Sequence, residues 1–301
     1  MKAVWIIQAL SATSLYAVAA LLDRYMLHAR AVPAFYYFLI GNLAGLIVAF
    51  VCLIAAGGQI EFDKTALLGV CAGVCFGVFT YLYLRTIAKT SPVATAAFMQ
   101  AVPVLSTFGS PAFLSEPVSI TSVSAILLLC LGLSFISMTD KRAVHVAAPQ
   151  MLPAVVILTA GYLIQKKLLE SSPIVTVLAL NRIGNLFVSG ALFLLYWLKG
   201  KTPTPLGPND RPILVGAALA GELLSVGGLL LSLFAYQSGT FADVSALLAT
   251  LPVFVLLGAI VMNRLQAAPV WTLPEIDSPA AMILSLLALG LIATSVYMIS
   301  S

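Results

Sequence analysis

Two charged side chains lie inside runs otherwise built almost wholly from apolar and small residues. Glu222 interrupts "LVGAALAGELLSVGGLLLSLFAY", and Arg182 interrupts "IVTVLALNRIGNLFVSGALFLLYWL". A charge at bilayer depth costs at least about 2.5 to 3.5 kcal/mol on insertion scales, so each demands a chemical reason. Ser225, Ser232 and Tyr236 follow Glu222 by three, ten and fourteen residues, spacings that bring all four to one face of a helix. Asn185 and Ser189 share a face with Arg182, and Asn181 stands beside it. A polar stripe on a membrane helix lines a cavity. In such a place a carboxylate carries a coupling proton or pairs with a cationic substrate; alternatively, Glu222 and Arg182 form a buried ion pair that fixes helix packing.

The surrounding composition requires a membrane. Of 301 residues, 61% are hydrophobic and only 9% charged, against roughly a quarter charged in an ordinary globular domain. About 20 apolar residues in a helix match the bilayer's hydrocarbon thickness, and ten stretches qualify: 3–22, 34–55, 65–87, 93–114, 120–138, 152–169, 174–198, 213–236, 241–262 and 280–299. The fold expected is an all-α integral membrane protein with ten transmembrane helices. Connecting segments are short, and the two longest, 199–212 and 263–279, are rich in proline and polar residues and read as surface loops. Although the first stretch could pass for a signal peptide, it has a counterpart in the second half of the chain and is read as a span. Cys52, Cys71, Cys75 and Cys130 all fall inside predicted spans and read as small packing residues. The basic residues behind the net charge of +4 flank span ends, where they suit lipid headgroups and give no nucleic-acid signal. His28 and His145 have no metal-ligand spacing, so neither metal nor cofactor is expected.

The chain is internally duplicated. Aligning Pro103 with Pro252, an offset of 149, superposes the fourth stretch on the ninth and the third on the eighth, with five identities in the 24 positions from 81 to 104. Ile40-Gly41-Asn42-Leu43 recurs as Ile183-Gly184-Asn185-Leu186 at an offset of 143. Two halves of five spans, 1–140 and 141–301, fit both anchors. Because five is odd, the second half enters the membrane from the opposite side, which makes an inverted repeat of the kind secondary transporters use for alternating access.

Each half resembles an EamA domain of the drug/metabolite transporter superfamily. The residues that carry the resemblance are Arg24 closing the first stretch, then Lys89-Thr90-Ser91-Pro92, the alanines at 94–97, Pro103, and Phe113-Leu114-Ser115-Glu116, with Glu116 thirteen residues after the proline. The second half has Ser238-Gly239-Thr240, Pro252 and Asn263-Arg264-Leu265, without the acidic residue. The resemblance covers nearly the whole chain. It implies ten helices and solute transport in a prokaryotic plasma (inner) membrane, with both termini in the cytoplasm. The charge count favours the reverse orientation, with ten Lys and Arg on one side of the membrane against four on the side of the termini.

Several further residues are candidates for the solute path or its support. Tyr81, Tyr162, Gln100 and Ser11, with Gln8, Ser14 and Thr159, interrupt apolar runs and could join Glu222, Arg182, Asn185 and Ser225 around a cavity. The repeated Asn42 and Asn185 suit interhelical hydrogen bonds. Pro103 and Pro252 stand mid-span, where a missing N–H and a ring clash kink a helix. Asp243 is placed to stabilise a helix N-terminus. With no GxxxxGK[ST] loop in the sequence and no clustered His/Asp/Glu or Ser/Lys set at depth, an ATPase or intramembrane enzyme is disfavoured. The expectation is a secondary transporter, an exporter or exchanger, of a small amphipathic solute such as an amino acid or amine. A lipid-linked or nucleotide-linked sugar is the alternative, and for the lipid-linked form Arg182 would have to supply a basic cavity open to lipid.

Overall fold

The computed structural model describes residues 4–58, 64–90, 92–138, 141–200 and 210–264, with residues 290, 291, 294, 295 and 298. Among these the regular secondary structure is entirely helical, and eight helical stretches are long and apolar enough to cross a bilayer. Large apolar side chains such as Ile47, Ile54, Phe187 and Trp197 are exposed on the outside of the bundle. That outward apolar face suits lipid as solvent, and the protein is a multi-pass, all-α membrane protein.

In chain order the helices are α1 (Val4–Arg24), α2 (Ala34–Ala55), α3 (Lys64–Ile87), α4 (Pro92–Ala97), α5 (Ala101–Gly109), α6 (Ile120–Met138), α7 (Lys141–Leu168), α8 (Ile174–Leu198), α9 (Asp210–Ser238), α10 (Phe241–Leu248) and α11 (Leu251–Arg264). The expected tenth span, 280–299, lies outside the described residues except for five positions. Two helices share their end chemistry. Proline in an extended conformation precedes both α2 (Pro33) and α8 (Pro173), and a left-handed glycine follows both, Gly57 at φ 63° and Gly200 at φ 60°. Glycine alone enters that region without a Cβ penalty, which makes it the usual helix stop.

Two expected spans are broken. The stretch 93–114 consists of α4, a 3-10 turn at Phe98–Gln100, α5 and a π turn at Ser110–Leu114. The stretch 241–262 is split at Ala249 and Thr250 into α10 and α11. The physical cause is common to both. Proline has no N–H for the carbonyl four residues back and its ring crowds that carbonyl, so Pro103 and Pro252 loosen the turn that precedes each of them. Side chains take up part of the deficit, with Thr250 donating to the Leu247 carbonyl at 2.6 Å.

The first helix runs past its expected end. The predicted end at Leu22 gives way to helix through Arg24 and a π turn at Tyr25–Ala29, a continuous run of 26 residues from Val4. Asp23 therefore sits inside the helical run.

Helix packing rests on glycine where backbones cross. Gly69, Gly73 and Gly77 form a row on α3 at four-residue spacing, the small-residue stripe that lets membrane helices approach closely. The row meets Leu180, Asn181, Gly184 and Val188 of α8, and a methyl group on Gly73 would overlap the Asn181 carbonyl. Elsewhere α1 packs on α9, α7 on α3, α2 on both α8 and α9, and α10 on α5. Gly73→Val should lower stability by about 1–3 kcal/mol because its contact is backbone that cannot step aside. Gly190→Ala, with nothing within 4 Å, should be close to neutral; thermal unfolding of the two variants in detergent checks this pair of outcomes.

Candidate functional site

A cavity opens between the helices, with a volume of about 1150 Å³ counting its open mouth. Its walls take α1 from Tyr16 to Asp23, α2 from Tyr37 to Asn42, α3 from Phe76 to Leu84 and α9 from Ala218 to Leu229, with Met99 and the α10/α11 junction (Leu248, Leu251) closing it. The proline-loosened turns of both broken spans are thus part of the wall.

Glu222 and Arg182 meet here, the Arg182 guanidinium donating to the Glu222 carboxylate. Their side chains are only 14% and 8% exposed. Space for the pair comes from α2, where a Cβ on Gly45 would collide with the Glu222 carboxylate and one on Gly41 would touch it at 3.5 Å. Asn185 donates to the Asn181 carbonyl at 3.3 Å and to its side-chain oxygen at 3.1 Å, which ties the polar face of α8 together. Asn42, from the repeated sequence, also lines the cavity. Asn42 Nδ2, Asn181 Nδ2 and Arg182 Nε are buried without a hydrogen-bond partner.

Of the residues expected around a cavity, Glu222, Arg182, Asn185, Ser225 and Tyr162 are in its lining. Tyr81, Gln100 and Ser11 are not. Tyr81 faces Tyr196 with the hydroxyls 3.2 Å apart, and the Gln100 carbonyl lies under Cys130 Sγ at 3.7 Å. Ser232 bonds back to the Gly228 carbonyl at 2.8 Å and lies 3.5 Å from the Tyr16 hydroxyl, while Tyr236 pairs with Ser245 at 3.2 Å. Asp243 does serve a helix start, but Thr240 is the N-cap: it accepts from the Asp243 N–H at 3.3 Å and donates to its carboxylate at 2.7 Å.

Sequence reasoning missed Asp23 and the aromatic wall formed by Tyr16, Tyr37, Phe38, Phe76, Phe79 and Tyr83. A signal for Asp23 was available. Successive helical residues point about 100° apart, so adjacent Asp23 and Arg24 meet different neighbours. Arg24 turns to the end of α3, donating to the Ile87 carbonyl at 2.7 Å, and Asp23 turns inward.

Away from the cavity, a second polar cluster joins elements distant in sequence. Glu116 accepts from the Phe241 N–H at 2.7 Å and pairs with Lys166 at 3.1 Å. Lys166 also donates to the carbonyls of Tyr236 and, at 3.0 Å, Gly239. A carboxylate on the first turn of α10 is favourable both as a hydrogen-bond acceptor and against the helix dipole.

No family model matches the chain, and no curated protein matches it. A crystal structure of another protein is similar over 95% of this chain and 98% of its own length, with a TM-score of 0.64 at 16% sequence identity. At that identity the likeness shows a shared fold.

Because the ion pair is buried, losing one partner is worse than losing both. Glu222→Met should cost about 3–5 kcal/mol by stranding the guanidinium, whereas Arg182→Met combined with Glu222→Met should restore most of that loss. A double-mutant cycle on thermal unfolding measures the coupling.

Proposed function

We propose that the protein is a secondary transporter of a small amphipathic solute, an amino acid or amine, working by alternating access between two inverted five-helix repeats. The observation that carries this reading is a central cavity walled by both halves, holding one buried ion pair and bounded by two proline-broken helices. The packing supports the repeat: exchanging the halves turns α1 on α9 into α7 on α3, and leaves α2 on α8 unchanged. The helix stops Gly57 and Gly200 differ by the same 143 residues as the repeated Asn42 and Asn185. Ile87 and Tyr236, whose carbonyls accept from the basic residues ending α1 and α7, differ by the 149 residues that separate the prolines.

The same correspondence points to the gates. The cavity draws on the end of α1 that carries Asp23, the start of α2 and the end of α3, so it lies toward the Arg24 end of the bundle. At the far end, Glu116 and Lys166 tie the first half to α7, α9 and α10. The reading is therefore a conformer open at one end and latched at the other, with the latch broken when access alternates. The cavity's chemistry weighs against the lipid-linked sugar alternative, because Arg182 is already paired with Glu222 and two carboxylates face one guanidinium.

Counterflow in proteoliposomes tests the function. Reconstituted wild type should exchange at least one labelled amino acid or amine against its own gradient, and Glu222→Gln should lose most of that exchange; folded protein that exchanges no member of such a panel would overturn the reading. Glu116→Gln tests the latch. With charged hydrogen bonds worth about 1.5–3 kcal/mol, a cysteine placed at buried Ser245 in a background lacking the native cysteines should react with a soluble maleimide at least about tenfold faster once Glu116 is neutralised.

A further inference from the structure

Asp23 takes part in none of the pairings described above. It lines the cavity from α1, and among the described residues no lysine, arginine or histidine nitrogen pairs with it within 4 Å. Tyr37 of α2 is its hydrogen-bonding neighbour, and Tyr83 of α3 and Glu222 of α9 are its electrostatic neighbours. Gly221 keeps this corner open, since a methyl group there would lie 3.0 Å from the Tyr37 hydroxyl and 3.8 Å from Asp23 Oδ1. Tyr37 is only 5% exposed, and its hydroxyl has the Asp23 carboxylate as its hydrogen-bonding neighbour, outside strict hydrogen-bond geometry. A carboxylate facing a cavity with a tyrosine hydroxyl beside it and no counter-charge is a half-built site, because buried charges are normally paired.

We infer that the cavity takes an organic monocation, with its ammonium group on Asp23 and Tyr37 and its apolar body against the aromatic wall. The inference rests on the transport reading for its biological sense but not for its chemistry. The lining holds two carboxylates and one guanidinium, and the guanidinium is engaged by Glu222. One added positive charge balances the site, whereas an anion would bring a third negative charge into a desolvated space. The rings add to the selectivity, since the faces of tyrosine and phenylalanine attract cations. Among the described residues the two arginine-on-ring contacts lie elsewhere, at Tyr25 and Tyr81, so no internal cation occupies the cavity's rings. Asp23 on this account is the counter-ion that selects the substrate, and Glu222 is held by its own partner in the unliganded state.

The test uses three probes of one shape and different charge: 2-phenylethylamine, L-phenylalanine and 3-phenylpropionate, titrated calorimetrically into the detergent-purified full chain. The amine should bind saturably and tightest, and 3-phenylpropionate should not bind. Asp23→Asn, nearly identical in shape, should weaken the amine at least about tenfold, which corresponds to ~1.4 kcal/mol; Tyr37→Phe should weaken it less. Variants are accepted when their elution profile and Tm match wild type, and if Asp23→Asn does not fold, Tyr37→Phe and the order of the three probes on wild type decide. Tighter binding of 3-phenylpropionate or phenylalanine, an amine affinity unchanged in Asp23→Asn, or no binding of any probe would each overturn the inference. Counterflow of phenyltrimethylammonium, a fixed cation, separates this from the transport reading. Amine binding that depends on Asp23 without any counterflow sinks transport and leaves the cation site, while phenylalanine counterflow indifferent to Asp23→Asn does the reverse.

Discussion

The buried pair of Arg182 and Glu222 is the interaction around which the centre of the bundle is organised. Two charges removed from water repay their desolvation only when the geometry is close and the remaining polar atoms find partners. Bringing the two charges together requires α8 and α9 to present them to each other beside α2, on which both helices pack. Helix α2 can run beside them because Gly41 and Gly45, one turn apart, offer the Glu222 carboxylate backbone in place of side chain. The Asn181 and Asn185 amides then hold the polar face of α8 together beside the guanidinium. What is left over, the unpartnered amide and guanidinium N–H groups around the cavity, marks this as a space shaped for more than packing.

The two sides of the site are not equivalent, and the difference follows from single residues. At the offset that aligns the prolines, Glu222 corresponds to Gly73. Where the first half has glycine, α3 and α8 touch backbone to backbone; where the second half has glutamate, α2 and α9 are kept apart by a charged side chain. The ends of the bundle differ in the same way. Phe241 offers an N–H to Glu116, while its counterpart Pro92 has none to offer, and the position corresponding to Glu116 is Leu265. The two parts of the chain thus differ by one charged interface and one acid-capped helix start.

Much of the fold could be read from the chain because a bilayer leaves few choices. Every backbone group must be satisfied within its own helix, so the long apolar stretches had to be helical, and the depth of Glu222 and Arg182 in them demanded a partner. Pro103 and Pro252 announced their own breaks, although a covalent argument could say only that the preceding turn would loosen and not that two separate helices would result. The polar residues were harder to place. Ser11, Gln100 and Tyr81 look like Ser225 and Tyr162 in sequence, but a serine or glutamine can satisfy itself on nearby backbone, so residue type alone does not say which of them faces a cavity.

The sequence alone determined the class of protein and the two buried charges, because hydrophobic length and the cost of burying a charge are local properties of the chain. Only the tertiary structure decided that Asp23 turns into the cavity while Arg24 reaches the Ile87 carbonyl. It alone assembled the aromatic wall from α1, α2 and α3, and brought Glu116 to the start of α10. These depend on the rotation of each helix about its axis. In an apolar solvent that rotation is set by where glycine rows let neighbouring backbones approach, a relation between helices that no single stretch of sequence contains.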